Sequence, residues 1–217
     1  MGTLDELREA VIDGQTAVAV EQTARGLQEG IPAQTLFDDG LMAAMRRVGE
    51  LFEEGEVFVP EMLVASRAMT AALEVLRPEL VAEGATTSGR IAIGTVMGDL
   101  HDIGKNLVAM MLQGNGFEID DLGTDVYPER FVQAVRDGAE VVAMSALLTT
   151  TMTNMRAVVE AIDEAGLREQ VGVVIGGAPI TQTFAEEVGA DGYARDASSA
   201  VRMVEAVLGR VRSANGR

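Results

Sequence analysis

The residues best suited to chemistry in this sequence are Asp99 and His101, which stand two positions apart in the segment MGDLHDIG. At that spacing the carboxylate can accept a hydrogen bond from one imidazole nitrogen, which fixes the tautomer and leaves the other nitrogen free to ligate a metal or take a proton. His101 is the one histidine of the chain, and there are no cysteines. One imidazole cannot hold a bare transition-metal ion, so a metal would have to arrive inside a cofactor that already supplies most of its ligands.

The composition excludes several other kinds of site. Without cysteine the chain has no disulfide, thiolate zinc site, iron–sulfur cluster or cysteine nucleophile. Its 17 basic and 34 acidic residues give a formal net charge of −17, which repels nucleic-acid phosphates and anionic lipids. The N-terminal segment has no basic and apolar leader, and no apolar run approaches the about 18 residues of a membrane span. We therefore expect a cytoplasmic protein that binds neither nucleic acid nor membranes.

The glycines around this pair do not form a phosphate-binding loop. They stand at positions 94, 98 and 104, which matches neither the dinucleotide nor the mononucleotide glycine spacing. Acidic side chains between them would also repel a phosphate, because such a cradle uses bare backbone N–H groups. A nucleotide is therefore disfavoured at this loop.

The hydrophobic pattern changes near residue 90, and the change divides the chain. Residues 1–78 carry apolar side chains at helical spacing, which predicts a four-helix bundle whose last helix is closed by Pro78. Residues 79–89 are small and polar and are interpreted as a linker. Residues 90–217 alternate short apolar runs with amphipathic segments, which predicts a doubly wound, five-stranded parallel sheet of the Rossmann-like or flavodoxin-like kind. The expected fold class is therefore α plus α/β.

Other polar turns follow the predicted strands at their carboxyl ends, so they lie at the same edge of the sheet as the Asp99 segment. Ligands of such sheets bind at this edge, where the topology switches direction. Three of the five turns are rich in Gly, Ser or Thr, a clustering that packing alone does not explain. The turns are residues 97–104, 123–127, 145–151, 176–180 and 194–197.

Three short motifs at this edge resemble those of cobalamin-binding domains in which a protein histidine displaces the lower base of B12. They are GDLHDIG at 98–104, SAL at 145–147 and the glycine pair at 176–177, in the order of the D-x-H-x-x-G, S-x-L and G-G pattern. Residues 41–62 are similar to the four-helix cap that precedes this domain in methionine synthase and in corrinoid proteins of methylotrophic methyltransferases. The resemblance covers nearly the whole chain and implies a helical cap followed by a B12-binding domain.

The resemblance implies that His101 is the lower axial ligand of cobalt and that Asp99 is its hydrogen-bonded partner. Thr151 stands where methionine synthase has a serine that extends this proton relay, and it keeps the hydroxyl. The implied cofactor is cobalamin, as methylcobalamin and cob(I)alamin, with the cobalt held by the corrin ring. Gly104 and the glycine pair would leave room for the displaced nucleotide tail. The other implied contacts are Gly98, Leu100, Asp102, Ile103, Ser145, Leu147 and Thr149, together with Gly176 and Gly177 of the pair.

The resemblance also assigns Phe52, Val59 and Met62 to an apolar lid over the methyl group. Such a lid shields a reactive cobalt–carbon bond from water, and it must move away for transfer. The spacing of these residues fits the core of a helical bundle equally well.

Each motif at the sheet edge also has an ordinary structural explanation. Asp102 precedes a predicted helix and could be its N-cap. Ser145, or the threonines at 149–151, could cap the next helix. The glycine pair could be a tight turn.

The resemblance implies a corrinoid methyl carrier, a non-catalytic subunit that works with separate enzymes. The bundle and the sheet account for the whole sequence, so we expect partner proteins to bind the methyl donor and the acceptor. These would be a substrate-specific methyltransferase, a corrinoid:acceptor methyltransferase that uses tetrahydrofolate or a coenzyme, and a reductive activation protein. Methylamine, methanol, betaine and methoxylated aromatic donors remain open.

Three other classes of protein remain alternatives. A B12-dependent sensor would need an output module such as a basic helix-turn-helix, and residues 1–89 are acidic. The small subunit of a cobalamin-dependent mutase shares the histidine motif but lacks the helical cap. A flavodoxin-like signalling domain would need no cofactor.

Overall fold

The computed structural model describes residues 2–82, 88–214 and 216, and the chain divides into two compact units. The helical unit comprises Met1–Ser88 with Gln113–Gly116, and the sheet unit comprises Gly89–Leu112 with Phe117–Arg217. Part of the predicted linker, residues 83–87, lies outside the described residues.

The helical unit buries an aliphatic and methionine-rich core. Helix α1 packs on α2, and α2 packs on α5, as their apolar residues at helical spacing predict. The elements are α1 (Thr3–Ile12), α2 (Thr16–Gln28), α3 (Ala33–Thr35), a π-helical segment (Leu36–Met42), α4 (Ala43–Glu54) and α5 (Val59–Ala82). The largest fully buried side chains here are Leu7, Leu36, Leu41, Met45, Met62, Met69 and Leu76.

Two helices differ from the sequence prediction. The predicted third helix contains the π-helical turn Leu36–Met42, and a Cβ at Gly40 in this turn would lie 2.8 Å from Cδ2 of Leu7 on α1. Helix α5 does not end at Pro78 but continues to Ala82. Pro78 is exposed, so water can satisfy the carbonyl that loses its helical partner.

The sheet unit is a doubly wound, five-stranded parallel sheet, so the predicted fold class is confirmed. The strand order is β2-β1-β3-β4-β5, and every neighbouring pair is parallel. The elements are β1 (Arg90–Val96), α6 (Ile103–Gly114), β2 (Glu118–Val126), α7 (Pro128–Arg136), β3 (Val141–Ser145), α8 (Asn154–Glu164), β4 (Gly172–Gly176), α9 (Gln182–Val188), β5 (Gly192–Ala194) and α10 (Ala197–Ala214).

Helices cover both faces of the sheet, and the inner strands β1, β3 and β4 are buried along almost their whole length. On one face, Phe131 of α7 approaches so closely that a Cβ at Gly94 would lie 2.9 Å from its ring. On the other face, a Cβ at Gly172 would overlap Val207 of α10. Small strand residues therefore let the helices pack close to the sheet.

The strand register sets the edge at which the loops emerge. Thr95 pairs with Ser145, Ser145 with Gly176, and Gly176 with Ala194. These residues form one row across four strands, so the segments that follow them leave the sheet side by side. Between β1 and β2 the register shifts twice near Gly94, which gives the end of β2 the irregular course of a β-bulge.

Candidate functional site

The loop after β1 buries one acidic side chain and exposes the imidazole beside it. Gly98 adopts a φ of +80°, and the N–H of Asp99 donates to the carbonyl of Val96 at 3.1 Å, which turns the chain sharply. The buried hydroxyl of Thr95 donates to the carbonyl of His101 at 2.8 Å. The side chain of Asp99 is 0% exposed, whereas that of His101 is 54% exposed.

Asp99 and His101 form the hydrogen-bonded pair that their spacing predicts. The Nδ1 atom of His101 lies 2.9 Å from Oδ1 of Asp99, and the backbone N–H of His101 donates to the same oxygen at 3.1 Å. Because Nδ1 carries its hydrogen toward a carboxylate, Nε2 keeps its lone pair. The exposed ring therefore presents a nitrogen that can ligate a metal.

The second carboxylate oxygen of Asp99 ties this pair to the segment after β3. The hydroxyl of Thr151 donates to Oδ2 at 2.6 Å. The backbone N–H groups of Leu147 and Leu148 point at the same oxygen, at 2.8 and 3.4 Å. Thr151 is 7% exposed, so its hydrogen bond to Asp99 is shielded from water.

These donors control the ionisation of Asp99. Burial alone raises the pKa of the carboxyl, but the hydrogen bonds from Thr151, from the N–H of Leu147 and from His101 outweigh it and hold the pKa well below its usual range. Since the folded-state pKa lies below the unfolded value, the carboxylate stabilises the fold above the ordinary aspartate range. That contribution is lost as the pH falls through the folded-state value.

We expect Thr151→Val to lower the free energy of unfolding of the ligand-free protein by about 1–3 kcal/mol, because a buried carboxylate loses its shortest donor. Thr151→Ser keeps the hydroxyl and should lose much less. Urea denaturation of the three proteins at neutral pH measures the difference. Equal midpoints for the valine and serine variants would show that the hydroxyl does not support Asp99.

Three of the four glycines of the predicted site, Gly104 and the pair at 176–177, differ in what surrounds them. A Cβ at Gly177 would overlap the carbonyl oxygen of Ala146, and one at Gly176 would lie 2.8 Å from the carbonyl oxygen of Ala194. Close backbone packing thus requires both members of the pair. Apart from its chain neighbours and the backbone of its own helix, no described residue has an atom within 4 Å of a Cβ at Gly104, so of these three glycines only Gly104 faces open space.

Exposed apolar side chains follow the strands at the sheet edge where His101 lies. Leu100 and Ile103, on either side of His101 in sequence, are 73% and 85% exposed. Such side chains are normally buried, and their clustering at one sheet edge is typical of a surface that binds an apolar ligand. The other members are Tyr127, Leu147 and Leu148, which follow β2 and β3.

The remaining predicted contacts occupy different positions. Ser145 is half-buried in the row at the strand ends, and Thr149 is exposed. Asp102 is exposed and directly precedes α6, where its carboxylate accepts a hydrogen bond from the Asn106 side chain at 3.1 Å. Gly98 is exposed in the loop after β1.

The three residues assigned to a lid are not equally accessible within the helical unit. Met62 is fully buried, Phe52 is half-buried and Val59 is 40% exposed. The adjacent Phe58, which sequence reasoning did not select, is 64% exposed.

Sequence reasoning also missed two side chains from other segments that form hydrogen bonds with the loop after β1. Asn154 donates to the carbonyl of Met97 at 2.7 Å, and Asp125 at the end of β2 accepts from the N–H of Gly98 at 2.7 Å. Asn154 begins α8, so its position suggested only a helix start. Asp125 lay within a polar turn already expected at the site, but no spacing rule distinguished it.

The single lysine of the sequence, Lys105, is buried in the first turns of α6. Its Nζ lies 2.6 Å from both carboxylate oxygens of Asp121 on β2 and 2.7 Å from Oδ1 of Asn106. The Lys105 side chain is 2% exposed. The ion pair therefore fastens the start of α6, next to His101, to the edge strand.

The residues present fit cobalamin. Nε2 of His101 can supply one axial nitrogen, the apolar side chains around it suit the hydrophobic edge of a large ring, and Gly104 leaves open space beside them. Within the described residues no group of three or more His, Cys, Asp or Glu side chains could hold a bare metal ion. A metal at His101 is thus expected only within a cofactor. Across the same residues, no helix is long and apolar enough to cross a membrane.

Comparison with known proteins extends this fit to the whole chain. Residues 89–202 match the family model of the B12 binding domain, and residues 3–77 match a second model also described as a B12 binding domain.

Relatives match along almost their full length. A corrinoid protein of Desulfitobacterium hafniense is 38% identical over 214 residues, which are 97% of this chain and 99% of the relative. Trimethylamine corrinoid protein 1 of Methanosarcina mazei is 42% identical over 204 residues, 93% of this chain and 94% of the relative. The crystal structure of the methanol:cobalamin methyltransferase complex MtaBC from Methanosarcina barkeri superposes with a TM-score of 0.83 at 29% identity, covering 95% of this chain and 80% of that chain.

The fold and the site define a cobalamin-binding protein with a helical cap and a Rossmann-like domain. This chain belongs to the corrinoid proteins of methyltransferase systems, as the sequence motifs indicated, and cobalamin is its cofactor.

Proposed function

We propose that this protein carries a methyl group on cobalamin between two partner enzymes and that His101 is the lower axial ligand. The observation that supports this most strongly is the hydrogen bond between Nδ1 of His101 and buried Asp99. It directs Nε2 away from the protein on a ring that is 54% exposed. A nitrogen exposed in this way can bind a metal that arrives inside a cofactor.

Each residue of the site has a separate task in this proposal. Bound cobalamin would supply a cobalt centre that accepts and releases a methyl group. Asp99 holds the proton at Nδ1 of His101, and Thr151 holds Asp99 in place. Gly104 leaves room for the displaced nucleotide tail, and the apolar side chains around His101 exclude water.

The partners follow from the chemistry of a carrier. We expect a substrate-specific methyltransferase that loads the methyl group and a corrinoid:acceptor methyltransferase that removes it, with tetrahydrofolate or a coenzyme as the acceptor. A reductive activation protein would restore oxidised cobalt. The structural relative MtaBC is a methyltransferase complex, and the named relatives include a trimethylamine corrinoid protein. Both support a methyltransferase partner, with a methylamine or methanol as a suitable class of donor. We place this exchange in the cytoplasm.

Reconstitution with cobalamin tests the binding mode directly. The purified protein is titrated with cobalamin, and the visible spectrum is followed until it stops changing. We expect the spectrum of a cobalamin whose own lower base is displaced and replaced by a histidine nitrogen. A bound form that keeps its benzimidazole ligand, or the absence of binding, would refute the proposed ligation.

The lid assignment gives a second measurable consequence. We propose that the accessible apolar residues of the helical unit, Phe58 and Val59, shield the bound methyl group together with half-buried Phe52. Phe58→Ala should speed the photolysis of bound methylcobalamin by at least about twofold, because less apolar surface excludes water and confines the products. Unchanged photolysis in both Phe58→Ala and Phe52→Ala would remove these aromatic residues from the lid.

Met62→Ala should instead lower the free energy of unfolding by about 2–5 kcal/mol, since that side chain is buried.

A further inference from the structure

Asp125 has a backbone conformation that is unusual for its residue type. Its φ is +53°, and it is the one non-glycine residue with a positive φ in the described part of the chain. Left-handed backbone costs a residue with a side chain about 1 kcal/mol, although aspartate tolerates it better than most. Strain of this kind persists only where neighbouring contacts compensate it, and such sites cluster around functional groups.

Two hydrogen bonds of Asp125 lie on either side of one peptide group, the one that joins Gly98 and Asp99. The N–H of Gly98 donates to Oδ1 of Asp125 at 2.7 Å. The N–H of Asp125 donates to the carbonyl of Asp99 at 3.0 Å. Asp125, on the edge strand β2, therefore forms hydrogen bonds to the backbone on both sides of the Gly98–Asp99 peptide.

The hydrogen bonds of Asp125 act on the His101 ring through Asp99. The peptide between Gly98 and Asp99 sets the direction in which the Asp99 side chain leaves the backbone, and that side chain holds Nδ1 of His101 at 2.9 Å. Asp125 is exposed at the end of β2, so a role in core packing does not explain its conformation. The register shifts between β1 and β2 nearby bring the end of β2 to this loop.

We propose that Asp125 is a positioning residue: through Gly98 and Asp99 it fixes the tautomer and orientation of His101 before any cofactor binds. The inference rests on the proposed function only in taking His101 as the cobalt ligand. The side chain of Asp125 contributes the acceptor for Gly98, and its backbone contributes the donor to Asp99. Substitution can remove the side-chain acceptor while the backbone donor stays.

Three substitutions at this position test the side-chain acceptor, because each of them keeps the backbone N–H that donates to Asp99. Asp125→Asn keeps Oδ1 as an acceptor and tolerates a positive φ. Asp125→Gly removes the acceptor but relieves the strain, so it folds even if Asp125→Ala does not. We expect the Asn variant to behave like the parent and the Gly and Ala variants to release the Asp99–His101 pair.

The readout uses the fact that His101 is the only histidine of the chain. With ¹⁵N-labelled histidine, the cofactor-free protein gives one pair of ring nitrogen signals, whose shifts at mildly alkaline pH report which nitrogen is protonated. The parent and Asp125→Asn should show a predominantly Nδ1–H ring, whereas Asp125→Gly should show a mixture of tautomers. Cobalamin affinity should fall about tenfold in Asp125→Gly, as is typical when the residue behind a metal-binding histidine is disturbed.

Asp120→Ala is the matched control, because it removes a carboxylate from the same strand whose partner is Arg90 at 4.0 Å. It should leave both the ring signals and the affinity at parental values. Ring nitrogen signals like those of the parent in Asp125→Gly would overturn the inference. So would a loss of the Nδ1–H tautomer in Asp125→Asn as large as the loss in Asp125→Gly. The ring signals need no cofactor, so this result stands apart from a failure of the parent to bind cobalamin, which would refute the proposed function instead.

Discussion

His101→Ala should convert the spectrum of bound cobalamin to that of a form without a histidine ligand and weaken cobalamin binding by at least about tenfold. The fold should survive the change. The ring is 54% exposed, so its loss opens no cavity in the core. Oδ1 of Asp99 also keeps a partner, since the backbone N–H at position 101 still donates to it. We therefore expect the free energy of unfolding of the cofactor-free protein to change by less than about 1 kcal/mol.

Free imidazole supplies an internal control for this variant. The space left by the side chain is open to solvent, so added imidazole should ligate the bound cobalamin and restore much of the original spectrum. The parent protein, whose own ring already occupies that position, should not respond. An unchanged spectrum in His101→Ala would show that another group is the ligand, and the assignment of His101 would be wrong.

Gly177→Ala should destabilise the protein by about 3 kcal/mol or more and lower its Tm by roughly 10 °C. A Cβ at this position would overlap the carbonyl oxygen of Ala146, which belongs to the segment leaving the neighbouring strand and cannot rotate away as a side chain could. The φ of Gly177 is +130°, a conformation that alanine strongly disfavours. Thermal unfolding of the cofactor-free protein measures the effect.

Gly104→Ala is the matched comparison at the same edge of the sheet. It lies near the start of α6, and apart from its chain neighbours and the backbone of its own helix no described residue has an atom within 4 Å of the new Cβ. Its stability should stay the same or rise by up to about 1 kcal/mol, because alanine favours the helix. If the nucleotide tail occupies this space, however, cobalamin affinity should fall, while cobinamide, which has no nucleotide, should still bind normally. An equal loss of stability in Gly104→Ala and Gly177→Ala would show that the space beside Gly104 is not open.

Local spacing explains why so much of the sheet unit could be predicted from the sequence. The inner strands β1, β3 and β4 are mainly apolar runs between glycines and polar turns, and a parallel sheet covered on both faces buries such runs. The Asp99–His101 contact spans two residues, so its geometry depends on little beyond the turn itself. Composition and spacing were enough for both features.

Contacts between distant segments could not be derived in the same way. The Thr151 hydroxyl reaches Asp99 from another strand–helix connection, and its role was indicated by resemblance to a known family alone. Asp125 gave no signal, because a positive φ at an aspartate depends on the bulged course of β2 beside β1. Helix α5 passes Pro78 for a similar reason, since solvent exposure rather than sequence decides whether the freed carbonyl is tolerated.

The buried lysine offers a way to observe local motion at the site. Lys105 is the sole lysine, and an amine-directed reagent can reach its Nζ only when the ion pair with Asp121 opens. If opening is rapid compared with modification, the labelling rate at position 105 measures the equilibrium population of that opened state. A single chemical half-life would then report the free energy needed to loosen the first turns of α6 beside His101, with or without a bound corrinoid.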